Sequence, residues 1–280
     1  MDILITGANG QLGKELKRQL SHAHNVVSLD KEQLDVTNQV QVDEKITQIN
    51  PQIIIHSAAF TNVDQCEIDR KKAFSVNSLG ASHIAQAANK THSRMFYIST
   101  DYVFDGRNKT PYPEEYPPNP QSVYGLSKWL GEQLVLGCKK VTIIRTSWLY
   151  GHDGENFVKT MLEMGKKNKE IRVVNDQIGS PTYVNDLTTT LIQLFGKKDG
   201  IYHVSNSGAC TWYLFAKAIF NEAGFNPHLI YPVTTEEYGA IASRPHYSVL
   251  GHQALIRERV KIPRHWHHAL KAFIRKEINS

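Results

Sequence analysis

The chain has 280 residues, enough for one large domain or a large and a small one, and the composition of an ordinary globular protein. Its net charge of +5 comes from Lys and Arg scattered in pairs such as Lys139-Lys140, Lys166-Lys167 and Lys197-Lys198, with no aromatics interleaved, which argues against nucleic acid as a partner. Three widely spaced cysteines, Cys66, Cys138 and Cys210, argue against a disulfide framework and a thiolate metal site, and no apolar run approaches the ~20 residues of a membrane span.

Met1-Asp2 leads into the apolar strand Ile3-Leu4-Ile5 without a basic leader or cleavage site, so a cytoplasmic protein with no membrane partner is expected. The strand breaks into Thr6-Gly7-Ala8-Asn9-Gly10-Gln11-Leu12-Gly13, after which Leu12, Leu16 and Leu20 recur at helical spacing. A glycine-rich turn between a first strand and a first helix lets the backbone approach a pyrophosphate, whose charge meets the amides of the helix N-terminus. A second strand, Val26 to Leu29, ends at Asp30, where a carboxylate can accept from the adenosine ribose; Lys31 could instead clamp a 2′-phosphate. NADH and NADPH both remain open on these two residues. Asp35 and Val36 would lie near the adenine, and Thr37 is the expected N-cap of a helix with Val40, Ile46 and Ile49 on its apolar side.

Ile53-Ile54-Ile55 reads as a third, fully buried parallel strand that runs out into His56-Ser57-Ala58-Ala59-Phe60-Thr61. A small-residue helix from about 73 to 88 leads to a fourth strand, Met95 to Ile98, which delivers Ser99-Thr100-Asp101 to the same carboxyl edge, where ligands bind in open α/β sheets. A proline-rich loop through Pro120 precedes a helix bearing Tyr124 and Lys128, one turn apart on one face, with Trp129, Leu130, Leu134 and Leu136 as its apolar side. An ammonium beside a phenol favours the phenolate and makes Tyr124 a usable general acid. A fifth strand, Val141 to Ile144, ends in Arg145-Thr146-Ser147-Trp148.

Beyond residue 150 the alternation loosens, with helices near 156–167, 184–195, 211–223 and 266–277. The reading is an α/β protein: a doubly wound parallel (Rossmann) sheet over 1–150 that binds NAD(P), with strands near 171–174 and 201–204 open to joining it, and a smaller substrate lobe formed mainly by 151–280.

The Gly7 to Gly13 turn, Ser99-Thr100-Asp101 after the fourth strand and Tyr124-x-x-x-Lys128 together resemble the extended short-chain dehydrogenase/reductase superfamily. Within it the chain is similar, over nearly its whole length, to the dTDP-4-dehydrorhamnose reductase family. That likeness rests on Ser99 to Phe104, Arg145 to Trp148, Asp176-Gln177 with Ser180-Pro181-Thr182, and Arg244-Pro245 with Ser248 and Leu250. It implies hydride transfer from NADPH or NADH to the 4-keto carbon of dTDP-6-deoxy-L-lyxo-4-hexulose, a dTDP-sugar. It further implies a cofactor lined by Gly7, Asn9, Gly10, Gln11, Leu12, Asp30, Lys31, Asp35, Val36, Ala58, Ala59, Phe60 and Thr61, with Tyr124 and Lys128. Tyr124 would protonate the nascent oxygen, Lys128 would bind ribose hydroxyls and tune Tyr124, and Thr100 would hydrogen-bond the carbonyl. Asp101, Trp148 and Arg244 would contact the substrate, Arg244 through its diphosphate, and Lys31 tilts the cofactor choice weakly to NADPH.

Some members of the resembled family pair subunits through Mg2+ held by glutamates. Glu15 stands in one such position and Asn185 in the other, which argues against the metal; a monomer or a homodimer is expected. The His265 to His268 cluster has no evident carboxylate partner and is not read as a metal site. Among rivals, a sugar dehydratase would carry an Asp-Glu pair after the Thr, where this chain has Asp101-Tyr102. An epimerase would hold its nicotinamide permanently. A non-catalytic subunit on the same fold, like the β subunit of methionine adenosyltransferase, has no need of the intact Thr100, Tyr124 and Lys128 set.

Overall fold

The computed structural model describes residues 1–278. Five strands, β1 (Asp2–Thr6), β2 (Asn25–Leu29), β3 (Ile53–His56), β4 (Arg94–Thr100) and β5 (Val141–Thr146), alternate with helices α1 (Gln11–Leu20), α2 (Gln39–Ile49), α3 (Val63–Ile68), α4 (Arg70–Phe74), α5 (Gly80–Lys90) and α6 (Val123–Val135). A single π-helical turn, Ser75–Leu79, joins α4 to α5.

The second half holds β6 (Leu149–Tyr150), α7 (Phe157–Lys166), β7 (Ile171–Val174), β8 (Ile178–Gly179), β9 (Thr182–Tyr183), α8 (Val184–Gln193) and β10 (Gly200–His203). It continues through β11 (Cys210–Thr211), α9 (Trp212–Glu222), β12 (Ile230–Val233), α10 (Thr235–Tyr238), α11 (Gln253–Arg257) and α12 (Trp266–Ile278).

The main sheet has six parallel strands in the order β10-β5-β4-β3-β1-β2, so the order reverses between β1 and β3 and opens a crevice there. Its strands are apolar on both faces, and each face has its own core. Ile3, Ile5 and Ile55 pack under α1, α8 and α11, with Leu16 from α1, while Leu4 and Ile54 pack under α2 and α5, with Val42 and Ile84 from those helices.

The segment 201–204 does supply a strand of this sheet, displaced by one residue. The segment 171–174 does not: β7 pairs with β12 in a separate two-stranded ribbon that covers the second lobe's core of Phe215, Phe220 and Phe273. That lobe has enough aromatic surface to bury a strand pair of its own.

Two helical details differ from the sequence reading. Asn38, not Thr37, caps α2, accepting from Gln41 N, because Thr37 is held by the Asp35 carboxylate; Val42 and Ile46 are then buried and Val40 is exposed. On α6 the buried side is Val123, Ser127, Lys128, Gly131, Glu132 and Val135, while Leu134 and Leu136 face solvent. Lys128 and Glu132 point into the fold, while Leu126 and Leu130 are only half-buried.

Candidate active site

Gly7 sits at φ +76, and a Cβ there would stand 2.7 Å from Ala58 N. A Cβ on Gly13 would stand 2.3 Å from Gly7 O, so the turn closes only with hydrogen at both positions. Gly10 caps α1 with no side-chain hydrogen bond, leaving the first-turn amides free for an anionic ligand. Buried Gln11 Oε1 and Thr146 Oγ1 lack a partner within the protein. This cradle fits a dinucleotide.

Two clefts meet at Gly7 and Gly10. The first, of about 390 Å³, is lined by Asp30, Lys31, Asp35 and Val36, the residues expected at the adenosine, with Asn9 and Ala58 from the wider cofactor set. Asp30 is already engaged: Oδ2 accepts from Asn9 at 2.8 Å, and Oδ1 from the amides of Glu32 and Gln33 at 3.0 Å. Lys31 is exposed at the rim. The second cleft, of about 410 Å³, brings Gln11, Leu12, Ala59 and Thr61 together with Thr100, Asp101, Tyr124, Lys128 and Trp148.

Phe60 and Arg244 are the two expected site residues that line neither cleft. The Phe60 ring packs in the apolar cluster of Cys66 and Val123, 4.6 Å beneath the Lys72 ammonium, because its backbone is clamped by Asn77 on both sides. The Arg244 guanidinium forks onto Asp64, with Nη1 and Nη2 donating at 3.2 and 2.9 Å; Asp64 also accepts from Ala242 N. That pair ties the segment around Arg244 to α3.

Thr100, at the end of β4, donates to Asp101 Oδ1 at 3.2 Å and is in hydrogen-bond contact with the Tyr124 phenol. Burial is the largest influence on Tyr124 and raises its pKa, the Asp101 carboxylate adds to the rise, and the Thr100 contact opposes it. The sequence-based expectation of a phenol lowered by Lys128 is therefore not met in this state. Lys128 is itself only 2% exposed, and burial pulls its ammonium down to about 7 against the restoring charge of Glu132. Its Nζ lies 4.1 Å over the Tyr97 ring. Asp101 is pushed up to about 6, by burial first, with hydrogen bonds from Ser248 and Thr100 pulling the other way.

Several residues here had no role in the sequence reading. Glu132 and Arg145, 1% and 2% exposed, form a buried fork with contacts of 2.9 and 2.7 Å, and Ser99 donates to the same carboxylate at 2.5 Å. His56 bonds Thr6 Oγ1 at 2.7 Å and is held neutral, down to about 3, by burial and by the Lys128 charge. Trp212 lines the second cleft beside Trp148. Ser99 and Arg145 lie within quoted motifs and Glu132 stands one turn beyond Lys128 on α6, but their convergence on one carboxylate, and the arrival of His56 and Trp212, comes from the fold.

Glu15 is buried, and its carboxylate is fully engaged by Arg18, by Gln19 at 2.6 Å and by Asn185 Nδ2 at 2.9 Å. In this arrangement hydrogen-bond donors, and not oxygen ligands, surround the Glu15 carboxylate. The sequence left the His265 to His268 cluster without a carboxylate, but His267 Nε2 lies 3.3 Å from Glu222. Even so, no group of three or more His, Cys, Asp or Glu among the described residues is placed to hold a metal.

A dinucleotide cradle at the switch point of a parallel sheet, with Thr, Tyr and Lys at the same edge, defines a nicotinamide-dependent oxidoreductase of the extended short-chain dehydrogenase/reductase class. The RmlD substrate binding domain family matches residues 1–278. The spore coat polysaccharide biosynthesis protein SpsK of Bacillus subtilis (strain 168) is 48% identical over 98% of this chain and 97% of its own. A dTDP-4-dehydrorhamnose reductase of Aggregatibacter actinomycetemcomitans is 42% identical over 96% of this chain and 97% of its own. The solved dTDP-4-dehydrorhamnose reductase of Bacillus anthracis str. Ames, in complex with NADP, superposes with a TM-score of 0.95 at 46% identity, covering 98% of each chain. The chain belongs to the dTDP-4-dehydrorhamnose reductase family.

Proposed function

We propose that this protein reduces the 4-keto group of dTDP-6-deoxy-L-lyxo-4-hexulose (dTDP-4-dehydro-L-rhamnose) to give dTDP-L-rhamnose for cell-surface polysaccharide. The carrying observation is that Thr100, Tyr124 and Lys128 face one cleft that Gly7 and Gly10 also line. Bound nicotinamide supplies the hydride. As negative charge builds on the carbonyl oxygen, Thr100 and Tyr124 provide two donors to it, and the Tyr124 hydroxyl gives up its proton. A buried phenol with a raised pKa keeps that proton until the alkoxide, a far stronger base, forms beside it. Lys128 binds the nicotinamide ribose and offers the compensating positive charge. Asp101 and Trp148 contact the sugar, and Arg244 receives the diphosphate by exchanging its hold on Asp64.

NADPH is weakly preferred and NADH also serves. The Asp30 carboxylate is already taken by Asn9 and two amides, whereas Lys31 stands free to reach a 2′-phosphate. The relative solved with NADP supports the same choice. Residues 1–150 hold the cofactor and 151–280 mainly hold the sugar nucleotide, with β10 returned to the cofactor sheet. The protein works in the cytoplasm as a monomer or a homodimer; three free, buried cysteines suit a reducing compartment.

The test follows NADPH and NADH absorbance with the dTDP-4-keto sugar supplied, in wild type and Tyr124→Phe. The variant should bind NADPH normally and turn over about 10²-fold more slowly or worse. Near-normal turnover in Tyr124→Phe would remove the proton donor and the reading built on it.

A further inference from the structure

Trp148 has a backbone that bulky residues avoid, at φ +47. Its carbonyl is pinned by Thr182 N at 3.1 Å, and the preceding Ser147 hydroxyl donates to Ser180 O at 2.7 Å. The indole is held as tightly as the backbone. Trp212 stacks on it with ring centroids 3.6 Å apart and an interplanar angle of 8°. A Cβ on Gly179 would lie 2.5 Å from Trp148 Cε2, so the glycine is the room in which the ring sits. Gly179 and Trp212 come from one device, the antiparallel β8–β11 ribbon, in which Gly179 pairs with Cys210 two residues before Trp212. Both tryptophans are half-buried and both line the catalytic cleft.

From this geometry we infer that Trp212 is a positioning residue for substrate specificity: with Gly179 it locks Trp148 as a preformed wall for the apolar face of the 6-deoxy sugar. The inference rests on the reductase reading above. A flat indole suits a ring face whose C–H groups and C6 methyl carry no hydroxyl to satisfy, and a locked wall loses no rotamer entropy on binding. Without the Trp212 plane the Trp148 indole would gain rotamer freedom on its pinned backbone and surrender part of the sugar's binding energy. Trp212 also packs on Phe157, 4.7 Å away and tilted 58°, so a purely structural role is the competing account.

The distinguishing variants are Trp212→Leu, which keeps apolar bulk against Phe157 but removes the stacking plane, Trp212→Phe, which keeps a smaller plane, and Gly179→Ala, which presses on Trp148 from its other neighbour. Steady-state kinetics with the dTDP-4-keto sugar would be read beside NADPH affinity and thermal stability. Trp212→Leu should raise KM for the sugar about 10-fold, with kcat falling less and NADPH affinity within about twofold. Trp212→Phe should stay within about threefold, and Gly179→Ala should match Trp212→Leu. The stacked pair should also give an exciton-coupled indole signal in far-ultraviolet circular dichroism that both Trp212 variants abolish. A sugar KM unchanged in folded Trp212→Leu or Gly179→Ala, while wild type is active, overturns the inference alone. Wild-type protein that fails to oxidise NADPH with this sugar sinks the reductase reading and the inference with it.

Discussion

Asp101 couples the site to pH through the stability of the fold. Burial pushes its carboxyl up to about 6 in the fold against an ordinary 3.8, and the hydrogen bonds from Ser248 and Thr100 only partly oppose the rise. Between about pH 4 and 6 the folded protein therefore holds a proton that the unfolded chain has released. Stability from this group falls as pH rises through that window and stays lower above it. Asp101→Asn removes the titration. The stability difference between variant and wild type, measured by urea unfolding, should shift in the variant's favour by roughly 2 kcal/mol from pH 4 to pH 7. A difference that is flat with pH would mean Asp101 keeps an ordinary pKa. In catalysis the same carboxylate raises Tyr124, so it helps keep the proton on the donor until it is needed.

At the scale of elements, the segment carrying Arg244 is strapped across α3 by the Asp64 fork. Arg244 can serve the substrate in two ways: by moving to the diphosphate, or by holding the strap while other groups bind. The two are separable because the partly exposed pair contributes little by itself. Arg244→Ala should raise the sugar KM about 10-fold and lower turnover, through loss of a charge-assisted contact that also orients the reacting carbon. Asp64→Ala leaves the guanidinium without its carboxylate partner and should change KM by less than about threefold. Equal damage from both substitutions would assign Arg244 to the strap. NADPH affinity should hold in each, since neither residue lines the adenosine cleft.

For the whole molecule, a contact between the two halves runs through Glu15 and Asn185, the pair the sequence resemblance raised as a metal position. Glu15 on α1 and Asn185 on α8 hydrogen-bond directly, and Arg18 supplies the positive charge from within the chain. Treatment with EDTA should leave both activity and the sedimentation coefficient unchanged, and added Mg2+ should alter neither. A chelator-sensitive mass would show that a cation bridges subunits despite this arrangement. The helix α8 packs with α1 on the cofactor sheet, so what looks from sequence like a second domain is partly built into the first.

The local rules of the chain were sufficient for the first five strands, the glycine turn and the bringing of Thr100, Tyr124 and Lys128 to one edge, but not for the short strands of the second half. Each of these depends on hydrophobic period, on a backbone only glycine adopts, or on residues one turn apart. The same rules brought Asp30, Lys31, Asp35 and Ala58 to one cleft, because strand ends of a parallel sheet share an edge. What the fold alone decided are properties set by neighbours distant in sequence. Leu134 and Leu136 read as a core face, yet α6 turns Lys128 and Glu132 inward because Arg145, from β5, makes burial of that acid tolerable. The Tyr124 phenol rises instead of falling, since desolvation depends on how much protein surrounds a group and not on which charge lies four residues away. Trp212 meets Trp148 only because β8 pairs with β11, and Arg244 meets Asp64 across 180 residues. Periodicity and motif spacing report what a residue does with its chain neighbours; burial, stacking and ion pairing depend on which distant segments close over it.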